Sequence, residues 1–303
     1  MRWVASRSLP FLVLGVGVAV VSFAAILIRL AHAEGASSLT IAAVRLGLAA
    51  ALLAPFAWLR HGAEILRLGK RELALCVLSG AFLALHFWTW ITSLEYTSIA
   101  SSTALVTTNP LWVGLASAVL LRERPAMAAL AGIALTIAGS LLIFAADAGP
   151  ANSGTGKAPL LGNSLALAGA LSASGYLLVG RALRARISLI AYVWLAYAIA
   201  AVLLIGGLIA SGVSVAHLPA PAWGFMALLA IGPQLIGHTA FNWALRRLTA
   251  TFVAVSILGE PIGSALLAIV LFGESFSTLQ LGGFLMLLAG IFIAARGERQ
   301  LNE

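Results

Sequence analysis

Residues 110–144 read PLWVGLASAVLLRERPAMAALAGIALTIAGSLLIF, and residues 261–294 read PIGSALLAIVLFGESFSTLQLGGFLMLLAGIFIA. Laid over one another without a gap, Pro110 falls on Pro261, Glu123 on Glu274, Gly132 on Gly283 and Gly139 on Gly290. The same offset of 151 residues holds upstream, where Leu94 falls on Leu245 and Ser98 on Thr249. The chain is a duplication. A duplicated unit that crosses a bilayer an odd number of times must lie in opposite orientations in its two copies, which is the ground plan of many secondary transporters.

Working outward, the chain is 61% hydrophobic and only 9% charged. A soluble domain of this length could not cover itself in water with so few charges. The apolar runs are long enough to span roughly 30 Å of hydrocarbon as helices. They predict spans over 9–30, 39–59, 71–92, 98–120, 126–146, 160–182, 189–211, 222–245, 251–273 and 278–295. The expected fold is an all-α membrane protein of ten transmembrane helices in two inverted five-helix repeats, 1–146 and 160–303, joined by a linker over 147–159. The first run lacks the usual cleavage site of a signal peptide and aligns with 160–182, so it is read as a helix.

The formal net charge of +8 raises the question of nucleic acid, and the distribution of the charges answers it. Of the 18 Lys and Arg, 15 fall on one side if the N-terminus is cytoplasmic, in clusters such as Lys70–Arg71, Arg122–Arg124, Arg181–Arg186 and Arg246–Arg247. Arg29 and Lys157 fall on the other side, and Arg45 lies inside a helix. Such a bias orients a membrane protein, here with both termini cytoplasmic. The expected location is a bacterial inner membrane, multi-pass, with membrane lipid as a partner and no nucleic acid.

Cys76 is the only cysteine, which excludes a disulfide framework, and its apolar helix makes it an inert core residue. The loops are too short for a catalytic or ATP-binding domain. Gly154-Thr155-Gly156-Lys157 resembles a phosphate loop, but Ala151 replaces the motif's first glycine and Ala158 follows the lysine. No cofactor and no metal are expected, and any driving force must come from gradients.

In hydrocarbon a polar side chain needs a partner, a cavity or a route to the interface. Helix 98–120 carries Thr103, Thr107, Asn109 and Pro110, and its repeat mate 251–273 carries Ser256, Glu260 and Pro261 at matching depth. Proline removes a backbone hydrogen bond and frees the carbonyl four residues back, here that of Val106 or Ile257. Such groups are tolerable at mid-membrane only against protein or water, so the two prolines mark kinks or gates beside a central site. Helix 71–92 presents Ser79, Phe82, His86, Trp90 and Ser93 at spacings of three and four, one helical face. Helix 222–245 presents Gln234, His238, Phe241 and Asn242 in similar fashion. Rings supply contact area and amides supply orienting hydrogen bonds, which suits a cavity for an amphipathic organic molecule. Taken singly, each of these residues has a plain packing role as its rival.

Glu260 is the sharpest candidate, because an ionised acid at this depth is expensive. It is read as a proton carrier or a ligand for a substrate ammonium, with a salt bridge to Arg45 as the structural rival. Arg45 either snorkels to the headgroups or meets a substrate carboxylate. Tyr176 with Ser172 could line the same cavity, whereas Trp194 and Tyr197 are read as lipid or packing residues. Glu123 and Glu274 are expected to cap equivalent helices. Gly132, Gly139, Gly283 and Gly290 let helices approach closely and mark scaffold or dimer surface.

Two five-helix repeats, each ending in a proline-containing helix, a glutamate and a glycine-rich last helix, resemble the drug/metabolite transporter superfamily of EamA type. The likeness is carried by 94–144 and 245–294 and is greatest to the YddG-like aromatic amino-acid exporters. It implies a basket-like bundle, a central cavity formed by the first four helices of each repeat, and alternating access by rocking of the halves. The expectation is therefore a secondary transporter, not an enzyme, that exports neutral or hydrophobic amino acids or related metabolites, as monomer or homodimer. Proton coupling through Glu260 and facilitated diffusion are both open. Rivals are export of organic cations or drugs, a sugar-phosphate or nucleotide-sugar exchanger of the same fold, and, from different classes, a channel or an intramembrane enzyme.

Overall fold

The computed structural model describes residues 9–120, 127–148, 157–184, 186–244 and 256–299. The helices are α1 (Leu9–Ser22), α2 (Ala24–Ala33), α3 (Ser38–Leu66), α4 (Lys70–Tyr96), α5 (Ile99–Val106), α6 (Asn109–Leu120) and α7 (Met127–Asp147). After them come α8 (Pro159–Arg184), α9 (Leu189–Ser211), α10 (Ala220–Leu229), a π-helical stretch over Ala230–Gly237, α11 (His238–Ala244), α12 (Gly259–Phe272) and α13 (Thr278–Arg299). Among the described residues, seven stretches, from Leu9–Ala33 to Ala220–Phe241, are long and apolar enough to cross a membrane, and Gly259–Phe272 and Thr278–Ile293 are shorter apolar helices.

The molecule is apolar outside as well as inside. Leu59 is 85% exposed, Val270 79% and Ile209 76%, whereas Arg45, Ser79 and Thr103 are fully buried. That inversion suits a surface bathed in lipid and a polar interior.

The packing between the halves obeys an exchange rule. α4 of the first half packs on α8, the opening helix of the second, and the α10–π–α11 segment packs on α1 and α2. α5 and α6 lie against α8, and α12 lies against α1 and α2. α3 pairs with α9, and α7 with α13. Each contact thus has a partner obtained by swapping the halves, the signature of a two-fold relation.

The α7–α13 seam shows the rule at atomic detail. A Cβ placed on Gly139 would sit 2.5 Å from the Leu287 nitrogen and 2.7 Å from the Gly283 oxygen. A Cβ on Gly290 would sit 2.5 Å from the Thr136 nitrogen and 2.7 Å from the Gly132 oxygen. Gly139 against Gly283 and Gly290 against Gly132 are one contact repeated, because the offset carries 132 to 283 and 139 to 290. These glycines therefore face each other within the chain, so the alternative of a dimer surface does not apply to them.

One end of the bundle is tied by polar groups. Thr97 Oγ1 donates to Asn163 Oδ1 at 2.8 Å. Asn163 and Gln280 both donate to the buried Asp147 carboxylate at 2.6 Å. Arg29 donates to the Thr97 carbonyl at 3.0 Å and lies 3.6 Å from Glu274. Glu274 in turn accepts the Ile99 N–H that opens α5. Glu274 thus caps a helix of the other repeat. Glu123, Arg122, Arg124, Leu245, Thr249 and the linker core 149–156 lie outside the described residues.

Alanine at Gly139 should lower the unfolding temperature, because its methyl meets backbone and forces α7 from α13; overpacking of this kind costs about 1–3 kcal/mol. Gly282 has nothing within 4 Å, so alanine there should leave stability equal or slightly higher through helix propensity. Cys76 is buried and the only cysteine, so the temperature at which a thiol-reactive dye labels it measures both variants.

Candidate functional site

The prolines that the sequence marks as kinks instead open new helices. α5 stops at Val106 and α6 begins at Asn109, which puts Pro110 in its first turn. α12 begins at Gly259 after a break at Leu258, which puts Pro261 in its first turn. A first-turn proline gives up an N–H that has no intrahelical partner anyway. Asn109 and Glu260 thus stand at the positive ends of two broken helices, at equivalent positions of the repeat. A third break comes from Pro233, which lies inside the π-helical stretch. It was not singled out in the sequence. Wide turns of this kind recur at functional sites, and here the widening delivers Gln234.

These breaks surround a cavity of about 430 Å³. Its wall is built from equivalent positions of the two halves: Leu83 and Gln234, Phe87 and His238, Trp90 and Phe241, Val106 and Ile257, Asn109 and Glu260. The frame is two-fold, but the chemistry is not. In three of the five pairs the second half carries the more polar or ionisable member, as Gln234, His238 and Glu260. Arg45, Tyr176, Tyr192 and Tyr197 complete the polar lining.

The aromatic groups are fixed by one another. His86 stacks on Trp90 with centroids 5.9 Å apart, and its Nδ1–H donates to the Gly169 carbonyl at 2.9 Å. Phe87 meets His238 edge-on at 6.5 Å, and His238 meets Phe241 at 6.1 Å. Tyr176 stacks on Tyr192 at 6.0 Å, and the Tyr192 hydroxyl is 2.8 Å from Ser79 Oγ.

Arg45 is the charged centre of this wall. It is fully buried. Its Nε donates to Gln234 Oε1 at 2.8 Å, and its guanidinium lies 4.2 Å from the Phe87 ring centroid and 5.9 Å from that of Trp90. Tyr197 and the same Gln234 side chain both line the cavity. Glu260 feels the charge of Arg45, yet among the described residues the two form no direct ion pair. Neither snorkelling nor a salt bridge describes Arg45.

The cavity brings together His86, Trp90, Thr107, Asn109, Tyr176, Gln234, His238, Phe241 and Glu260 from the residues singled out in the sequence. It leaves others aside. Ser79 supports Tyr192 from behind the wall. Phe82 lies where a Cβ on Gly175 would touch its ring, at the α4–α8 contact. Thr103 is bonded back to the Ile99 carbonyl of its own helix at 2.7 Å, and Ser172 likewise to Ala168 at 2.8 Å. Ser256 is not among the lining residues. The side chains of Asn242 and Pro110 lie outside the described residues. Tyr197, read in the sequence as a packing residue, faces the cavity; Trp194 does pack, edge-on to Trp58 at 5.4 Å. Nothing in the sequence marks Tyr192, or the cavity side of Tyr197, because α9 is apolar on every side and offers no periodicity to follow.

The EamA-like transporter family model matches residues 9–145 and again residues 160–296. A crystal structure of a protein superposes over 98% of this chain and 100% of its own, with a TM-score of 0.65 and 22% sequence identity, which speaks for the fold alone. No curated protein matches the chain.

Replacing Gln234 with leucine leaves a buried guanidinium nitrogen without its acceptor, and hydrogen bonds to charged groups contribute about 1.5–3 kcal/mol. The variant should unfold several degrees earlier. Combining it with Arg45→Leu should restore part of the loss, because the charge that needed the amide is gone. Thermal unfolding of the two single variants and the double variant checks this; simple additivity would contradict the coupling.

Proposed function

The chain belongs to the EamA-like transporter family, and from that premise we propose that it exports neutral, mainly hydrophobic amino acids or closely related metabolites across a bacterial inner membrane. It is a multi-pass membrane transporter of the drug/metabolite type and not an enzyme. The finer reading has ten spans in two inverted repeats with both termini in the cytoplasm. It is supported by the one-sided basic residues and by the exchange symmetry of the helix contacts.

The observation that carries the substrate reading is the cavity itself. At about 430 Å³, with aromatic and aliphatic groups interleaved with polar ones, it suits a single small amphipathic molecule. A sugar phosphate or nucleotide sugar would call for several cations, and Arg45 is the one Lys or Arg that lines it among the described residues. Substrate reaches the site from the cytoplasmic side, and rocking of the two halves about their shared seams then opens it to the other. Glu260, set at the start of a broken helix, is the group through which protons would be coupled. Simple export down the cytoplasmic concentration gradient needs no such role.

Purified protein in liposomes loaded with a mixed amino-acid panel should show saturable counterflow for hydrophobic members. A response to an imposed pH gradient that Glu260→Gln abolishes would assign the coupling; an unchanged response removes it. Exchange of organic cations in place of amino acids would favour drug export, since a wall of rings with one acid also suits a cation. Flux that neither saturates nor shows counterflow would mean a channel.

A further inference from the structure

Among the described residues, three buried N–H-bearing atoms in the cavity wall have no hydrogen-bond acceptor. They are Nη1 and Nη2 of Arg45 and Nε1 of Trp90. Buried donors are nearly always paired, and each one left alone costs the full desolvation of the group. A buried guanidinium is a more severe case, because its charge also lacks a counter-ion at contact distance. The other side of the group is fully committed: Nε is held by Gln234, and the face lies on Phe87. What remains is the planar fork of two parallel N–H groups, the shape that accepts a carboxylate in two hydrogen bonds.

We propose that Arg45 is the carboxylate-binding residue of this cavity, with Trp90 Nε1 as a third donor to the same group and Glu260 as the partner for a positive charge on the same substrate. The proposal deepens the reading of the protein as a carrier whose substrate sits in this cavity, and it rests on that reading. It narrows the substrate class to molecules that carry a carboxylate, and favours those that also carry an amine. It also explains why Arg45 and Glu260 share one cavity without pairing. A direct ion pair would satisfy both charges and leave nothing for a ligand; unpaired, they offer one group to each charge of a zwitterion.

The nitrogens are closed to water in this conformation. Binding therefore requires a side-chain-scale opening of the wall. Gln234 makes the arrangement sensitive to the conformational cycle. It comes from the π-helical stretch of the second half, whereas Arg45 comes from α3 of the first. A movement between the halves would shift the fork relative to its support and change its hold on a carboxylate.

The test is equilibrium binding to the purified full-length protein with three probes: L-phenylalanine, 3-phenylpropionate, which lacks the amine, and phenethylamine, which lacks the carboxylate. Phenethylamine should bind at least about tenfold more weakly than L-phenylalanine, and 3-phenylpropionate should retain the larger share of affinity. In Arg45→Gln, L-phenylalanine should lose at least about tenfold while phenethylamine is unchanged, and Arg45→Lys should recover only part, since a point charge cannot replace a fork. If Arg45→Gln fails to fold, the order of the three probes on the unaltered protein decides alone. Equal binding of phenethylamine and L-phenylalanine, or undiminished L-phenylalanine binding in Arg45→Gln, overturns the proposal and leaves the carrier reading standing. Binding of none of the three overturns the amino-acid reading and the proposal with it.

Discussion

A backbone group without a partner cannot face hydrocarbon, and this constraint organises the whole molecule. It permits only continuous helices toward lipid. It allows a helix to break solely where protein or water can meet the freed groups. The chain obeys it closely: the breaks at Thr107–Thr108, at Leu258 and around Pro233 all adjoin one cavity. Thr108 shows how such a break is accommodated, its hydroxyl donating to the Leu105 carbonyl at 2.7 Å. The site exists because the breaks are gathered in one place, and they are gathered there because the repeat places equivalent breaks on either side of one axis.

The duplication supplies a frame and then departs from it. Along the α7–α13 seam the two copies are close to interchangeable, glycine against glycine, since a methyl on either side would strike backbone. In the cavity the copies diverge. Phe87 stands opposite His238, Leu83 opposite Gln234 and Asn109 opposite Glu260, so matched positions of the two halves present different groups, with the arginine on one half and the acid on the other. Arg45 then crosses the divide by bonding to Gln234. The scaffold is symmetric and the lining is not.

The fold was legible because its causes are periodic. The offset between the copies, the one-sided arginines and the long apolar runs all follow from simple rules of membrane insertion. Helical spacing brought out His86 with Trp90, and Gln234 with His238 and Phe241, since a polar stripe on an apolar helix has few places to face. Tyr192 and the cavity-facing side of Tyr197 were hidden for the opposite reason, whereas Arg45 was legible as a candidate for a substrate carboxylate but its seat against Gln234 and Phe87 was not. α3 shows one arginine with no stripe around it, and α9 is apolar throughout, so neither helix declares which face meets the cavity. The role of Pro233 was obscured in another way: in sequence, a proline gives no sign whether it will kink, start or widen a helix.

The central claim is that one cavity at the crossing of the two repeats is reached in turn from both sides of the membrane. The most direct measurement places a single cysteine at Leu177, in the cavity wall, after Cys76 has been replaced by serine. A membrane-impermeant thiol reagent is then applied to right-side-out and to inside-out vesicles. The account predicts labelling from both sides, slowed in both by a saturating transported substrate. Labelling from one side only, or at a rate that no substrate alters, would contradict it.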